Sequence, residues 1–192
     1  MKTPVLGVLI AALSYLLYSY MSGGPPNIVR VKIGHTYYQV QDLPGKQDAA
    51  KLMADIQQRI QKVVDFYKEE HTDEPARLLA ERYNPASLFE NAMTSSDTSY
   101  SENKGEKIVL CLRDKTNTSY PLIEINTCMF VVLHELAHLM TAELDAHSHT
   151  REFWHNFRRL LEDSIKLGIY QSVNYAKTPV QYCGMMITDS PL

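Results

Sequence analysis

Hydrophobic and polar positions alternate where the charged part of the chain begins. Val29, Val31 and Ile33 are separated by polar neighbours, Gly34-His35 interrupts, and Tyr37 to Val40 resumes, which predicts a β-hairpin. From Gln47 to Glu70 the period changes. Leu52, Met53, Ile56, Ile60, Val63, Val64 and Tyr67 recur at helical spacing and form one wide apolar stripe, so a long helix with one buried face follows. A shorter helix starts near Pro75, which suits a first turn because its missing N–H would be unpaired there anyway, and stops before Asn84-Pro85.

Asn91 to Lys107 has no apolar period and reads as loop, whereas Lys107 to Leu112 is a β-rich run and reads as a strand. Asn126 is placed to cap a helix that carries Met129-Phe130-Val131-Val132-Leu133 and continues through Leu139-Met140 towards Leu144. A further helix from about Thr150 to Leu167 sets Phe153, Phe157, Leu160, Leu161 and Ile165 on one face and ends at Gly168. Tyr175 to Leu192 reads as irregular chain or short strand. Strands and helices in this order, without a repeating βαβ unit, predict an α+β fold.

Pro4 to Met21 contains no charged residue, and this run approaches the roughly 20 residues that span a bilayer as a helix. Tyr15, Tyr18 and Tyr20 suit the membrane interface, and no small-x-small cleavage site is evident, so the run predicts a retained transmembrane helix rather than a cleaved signal. Glycine and proline in Ser22-Gly23-Gly24-Pro25-Pro26 then break the helix. Residues 1–21 are thus expected to be a membrane anchor, 22–27 a linker, and 28–192 one domain. The chain is read as a single-pass membrane protein, and its few flanking charges do not decide which side the domain occupies.

Composition refines this picture in two ways. With 19 basic and 22 acidic side chains in 192 residues, the net charge is -3 and no basic field for nucleic acid stands out. The three cysteines, Cys111, Cys128 and Cys183, are odd in number and widely spaced; they read as buried thiols, with a disulfide possible only in an oxidising compartment.

The strongest chemical signal is His134-Glu135-Leu136-Ala137-His138. Residues four apart on a helix share a face, so His134 and His138 can offer two imidazole nitrogens to one ion. Glu135 is rotated away from that ion yet can reach a water on it, which suits a general base. Two histidines and a glutamate among Val131-Val132-Leu133, Leu136, Leu139 and Met140 would be poorly satisfied without a metal. The pattern predicts one Zn2+ ion with three protein ligands and an open position.

The third ligand has several candidates: His149, His147, Glu152 and His155 all follow a turn near Leu144-Asp145-Ala146. His149 is favoured because it sits where the packing of the next helix would hold it. Glu143, Asp145 and Glu162 are candidates for orienting an imidazole, and Tyr175 and Tyr182 for donating a hydrogen bond to a tetrahedral intermediate. His35 and His71 read as surface histidines. Asn117-Thr118-Ser119 matches a glycosylation sequon, whose modification would place the domain on the lumenal side.

His134-Glu135-Leu136-Ala137-His138, followed by His149 and by Phe153 four residues later, resembles the WLM and SprT-like zinc metallopeptidases. The resemblance spans about Lys107 to Leu167; Ser148 stands where many SprT-like sequences have glycine. It implies a compact zincin-like fold, with a small sheet packed on the active-site helix, in which Lys107 to Leu112 is the natural edge strand for an extended peptide. It also implies a zinc endopeptidase that hydrolyses protein or peptide substrates with zinc-bound water activated by Glu135, and the uncharged run at residues 4–21 makes the expected enzyme membrane-anchored. Relatives act in DNA-protein crosslink repair, which is an alternative role, as is a catalytically silent, zinc-stabilised membrane protein used in assembly.

Overall fold

A computed structural model describes residues 28–142 and 149–192. The predicted anchor (residues 4–21), the linker (22–27), and Glu143, Asp145 and His147 lie outside the described residues. Among the described residues no helix is long and apolar enough to cross a membrane.

The alternating segment forms the predicted hairpin, β1 (Ile28–Ile33) and β2 (Thr36–Gln41), paired antiparallel from Ile28↔Gln41 to Ile33↔Thr36. α1 (Lys46–Glu70) buries the stripe read from the sequence, with Met53, Ile56, Ile60, Val63 and Tyr67 all inaccessible. α2 (Glu74–Arg82) has Pro75 in its first turn, and Asp73 caps it by accepting from the Ala76 N–H at 3.2 Å.

A 3-10 turn, Pro85–Ser87, leads into β3 (Leu88–Glu90). After it come β4 (Tyr100–Glu102) and β5 (Lys107–Leu110), then α3 (Ile125–Met140), α4 (Arg151–Lys166), and a separate hairpin of β6 (Val180–Tyr182) and β7 (Met185–Ile187).

The main sheet has the order β1-β2-β3-β5-β4, with β2, β3 and β5 parallel and the two outer strands antiparallel to their neighbours. α1 lies against β1, β2 and β3; α3 lies against β4 and β5 and also touches α1, which puts the two helices in one layer. α2 and α4 pack on α3. The architecture is α+β, as predicted from the order of elements.

Four local expectations are corrected. β5, the proposed edge strand, is paired on both sides, and the edge is β4, inside the stretch read as loop. Three residues are too few to show an alternating pattern, and β4's pairing with β5 supplies what its sequence lacks. α3 stops at Met140 rather than near Leu144, and Glu124, not Asn126, caps it, its carboxylate accepting from the N–H groups of Asn126 and Thr127. Cys111 and Cys183 form a disulfide across 72 residues, so only Cys128 is a buried thiol. Closing a loop of that length contributes roughly 4 kcal/mol through the unfolded chain's lost entropy. His71 is half-buried, its ring packed against Phe66 and Tyr67, rather than a fully exposed surface residue.

Two buried or bridging ion pairs join these elements. Arg113 and Glu90, both almost inaccessible, meet at 2.9 Å; the same carboxylate accepts from the Gln41 N–H, and Arg113 also donates to Pro44 O. The pair therefore links β2, β3 and the chain leaving β5, and removing one partner alone would cost about 3–5 kcal/mol by leaving a buried charge. On the outer helices, Arg159 of α4 holds Asp73 in a two-pronged pair at 2.7 and 2.9 Å.

Hydrogen bonding from Arg159 lowers the Asp73 pKa from 3.8 to about 2. A depressed folded-state pKa stabilises the fold fully above the unfolded value and loses that contribution as pH falls towards about 2. Asp73→Asn keeps a good cap but loses the charge. Denaturant titrations should find it less stable than the parent at pH 6, with the gap closing between about pH 4 and pH 2. A gap that stayed constant over that range would show that the ion pair contributes nothing.

Candidate metal centre

α3 is unusual in being buried almost all round: Met129, Leu133, Leu136, Ala137, Leu139 and Met140 are inaccessible. Its C-terminal end would leave carbonyls unpaired in that setting. Arg82 of α2 donates to Leu139 O and Thr141 O at 2.7 and 2.9 Å, and the Thr141 hydroxyl donates to Ala137 O at 2.8 Å. Gly105, at φ 104, packs so tightly here that a Cβ would stand 2.7 Å from Arg82 O and 2.9 Å from a Leu139 methyl. Backbone and arginine together close the helix beneath the motif.

Glu135 and His138 are buried and His134 partly so. One turn of α3 separates the two imidazoles, with ring centroids 5.1 Å apart. The third imidazole arrives from α4: Thr150 caps that helix by accepting from the Phe153 N–H, and this fixes His149 immediately before the first turn. His149 Nε2 lies 3.2 Å from His134 Nε2, and one nitrogen of each of His134, His138 and His149 lies within 4.8 Å of the others.

Phe153, fully buried, supports all three. Its ring centroid is 4.4 Å from His138, 4.5 Å from His149 and 4.9 Å from His134.

This cluster fits a metal. Two nitrogens bound tetrahedrally at about 2.0–2.1 Å stand roughly 3.3 Å apart, close to the His134–His149 separation. Burial, reinforced by the neighbouring His138 and His149, pushes the His134 pKa down to about 3, so the ring is held in the neutral form that a metal requires. Among the described residues this is the group of three His, Cys, Asp or Glu side chains that could hold an ion.

Glu135 does not join the cluster. Burial raises its carboxyl pKa from 4.5 to about 7, even with Ser101 drawing it down by donating from both its hydroxyl and its backbone N–H. Ser101 belongs to β4, so the strand that the sequence hides is also the one that orients the proposed base. Nothing in the sequence marks it, because its role depends on pairing with β5.

The remaining candidates fall elsewhere. Glu152 accepts from the Ala142 N–H at 3.2 Å, His155 is exposed on α4, and Glu162 pairs with Arg158 at 2.8 Å. Tyr175 is buried against Phe130, with centroids 4.7 Å apart, and does not line the cleft. Tyr182 does line it, together with Glu135, His134 and His149, and its hydroxyl shares a 2.6 Å hydrogen bond with Ser99 Oγ. Burial raises the Tyr182 pKa well above its ordinary value, keeping the phenol protonated.

The WLM domain model matches residues 99–181, which include β4, α3 and the three histidines. Uncharacterized protein R325 of Acanthamoeba polyphaga mimivirus is 34% identical over 191 residues, covering 96% of this chain and 93% of its own length. Uncharacterized protein 136R of Invertebrate iridescent virus 6 is 35% identical over 83 residues, 43% of this chain and 44% of its own. Among solved structures, Wss1 from Saccharomyces cerevisiae aligns over 67% of this chain and 86% of its own with a TM-score of 0.48 and 21% identity.

The geometry predicts one transition-metal ion per chain. Elemental analysis of purified protein should find a stoichiometric ion in the parent and a loss of about 10-fold or more in affinity for His149→Ala. Unchanged metal content in a variant lacking both His134 and His149 would place the ion elsewhere.

Proposed function

The chain belongs to the WLM family, a group of protease-like domains, and from that premise we propose that it is a zinc-dependent endopeptidase acting on protein substrates. The observation that carries this reading is the meeting of three imidazoles, each offering one nitrogen within 4.8 Å of the others, beside a buried carboxylate that is not in their group. Three nitrogen ligands with a fourth position open suit zinc in hydrolysis better than in a closed structural site.

Bound zinc supplies Lewis acidity towards a water and a peptide carbonyl. The chain's own residues supply the proton traffic. Glu135, held by Ser101, takes a proton from the attacking water and delivers it to the leaving amine, and its raised pKa suits a group that must both accept and release a proton near neutrality. Of the two tyrosines considered, Tyr182 alone lines the cleft, so hydrogen bonding to the developing oxyanion falls to it, with Ser99 as its resting partner. β4 leaves one edge of the sheet open beside the cleft, and an extended substrate adds to it as a further strand.

Glu135→Gln keeps the shape and removes the base. It should lower the cleavage rate by about 10²–10⁴-fold while zinc content, read by elemental analysis, stays stoichiometric. Cleavage at the parent's rate would sink the mechanism.

The same reading places the domain on a membrane through residues 4–21. Its support is the uncharged run itself. Full-length chain should stay with the membrane fraction through alkaline carbonate washing, whereas a chain beginning at residue 28 should be released; release of both would remove the anchor from the proposal.

A further inference from the structure

Exposed large apolar side chains normally lie scattered over a protein surface. Here Trp154, Met185 and Met186, each 45–48% exposed, come from α4 and from β7, some 30 residues apart, and gather around the metal centre. Trp154 stands 5.5 Å from the His149 ring, centroid to centroid. Both methionines line the cleft that also contains Glu135 and His134.

Two pockets flank His134 and share Phe130, His134 and Asp189 as walls. The first, of about 400 Å³, is walled by Phe130, Phe157 and Trp154, with Pro191 closing one side. Its floor is rigid: Phe157 and Phe130 are almost inaccessible and their rings are 5.2 Å apart. The second, of about 390 Å³, is bordered by Met185 and Met186, whose hairpin is tied to β5 through Cys183 and Cys111. Methionine can repack around side chains of different shape. By contrast, the surface along Ser96 to Asn103, beside β4, is lined by polar residues apart from Tyr100.

We infer that the Phe130–Phe157–Trp154 pocket is a specificity subsite that selects a bulky apolar side chain, such as Leu, Met or Phe, next to the scissile bond. This rests on the peptidase reading above. Backbone contacts along β4 would be indifferent to sequence, so the apolar pocket beside His134 is where selection occurs. A side chain of this class covers apolar wall that is otherwise wet, while alanine leaves it wet and a glutamate would meet the Asp189 carboxylate that also lines the pocket.

The test uses full-length zinc-loaded protein and peptides that differ only at the two positions flanking the cleaved bond. At one of them, kcat/KM should fall by about tenfold or more from Leu or Phe to Ala, and further to Glu. Trp154→Ala should compress the Leu-to-Ala ratio to within about threefold while metal content is unchanged.

A second readout needs no turnover. Trp154 is the chain's single tryptophan, so in Glu135→Gln its emission should shift to shorter wavelength on adding the Leu peptide and do so about tenfold more weakly with the Ala peptide. A flat preference in an enzyme that Glu135→Gln inactivates would overturn the subsite and leave the peptidase reading standing. If the parent cleaves none of the peptides, the peptidase reading fails and the emission titration decides alone: selective binding of the Leu peptide upholds the pocket, and equal binding of both overturns it.

Discussion

Two imidazoles and a carboxylate sit on a helix whose other faces are core. Burying such groups without partners costs several kcal/mol each, and the surrounding structure answers that cost group by group. Ser101 reaches Glu135 from β4, His149 comes to His134 from just before α4, and Phe153 provides one apolar surface for all three rings. Even the end of α3 is serviced, by Arg82 from α2 and the close backbone at Gly105. The placing of β4, α2 and α4 follows from keeping one polar cluster satisfied inside an apolar layer.

That dependence also separates the groups by task. Burial lowers the pKa of His134 and raises that of Glu135, so one environment favours a neutral imidazole and a carboxyl poised near neutrality. The surface around the cleft is not uniform in character. Its β4 side is polar and suited to main-chain contact, while its α4 and β7 side is aromatic and thioether. On the proposed reading, a substrate strand crossing it would meet general recognition on one side and selection on the other.

The disulfide and the buried Arg113–Glu90 pair act on the scaffold rather than the chemistry. The pair ties β2, β3 and the chain leaving β5, and the disulfide ties that same stretch to the hairpin carrying Tyr182 and the methionines. The cleft wall formed by β7 is thereby linked to the sheet that bears Ser101.

Local pattern made much of this legible. The wide stripes of α1 and α4, the alternation of β1 and β2, and the four-residue spacing of His134 and His138 are properties of neighbouring residues, and their periods survive in any context that buries one face. His149 was also readable as a favoured ligand, through its place before a helix start, though His147, Glu152 and His155 could not be set aside by spacing.

What tertiary structure decided lies in contacts between residues far apart in the chain. β3 and β4 are three residues each and owe their existence to partners, so β5 became an interior strand and the edge moved to β4. The service of Ser101 to Glu135, the pairing of Cys111 with Cys183 across 72 residues, and the placing of Trp154 and the methionines of β7 in two pockets that share His134 leave no local trace. Periodicity records which face of an element is buried; it carries no record of what that face is buried against.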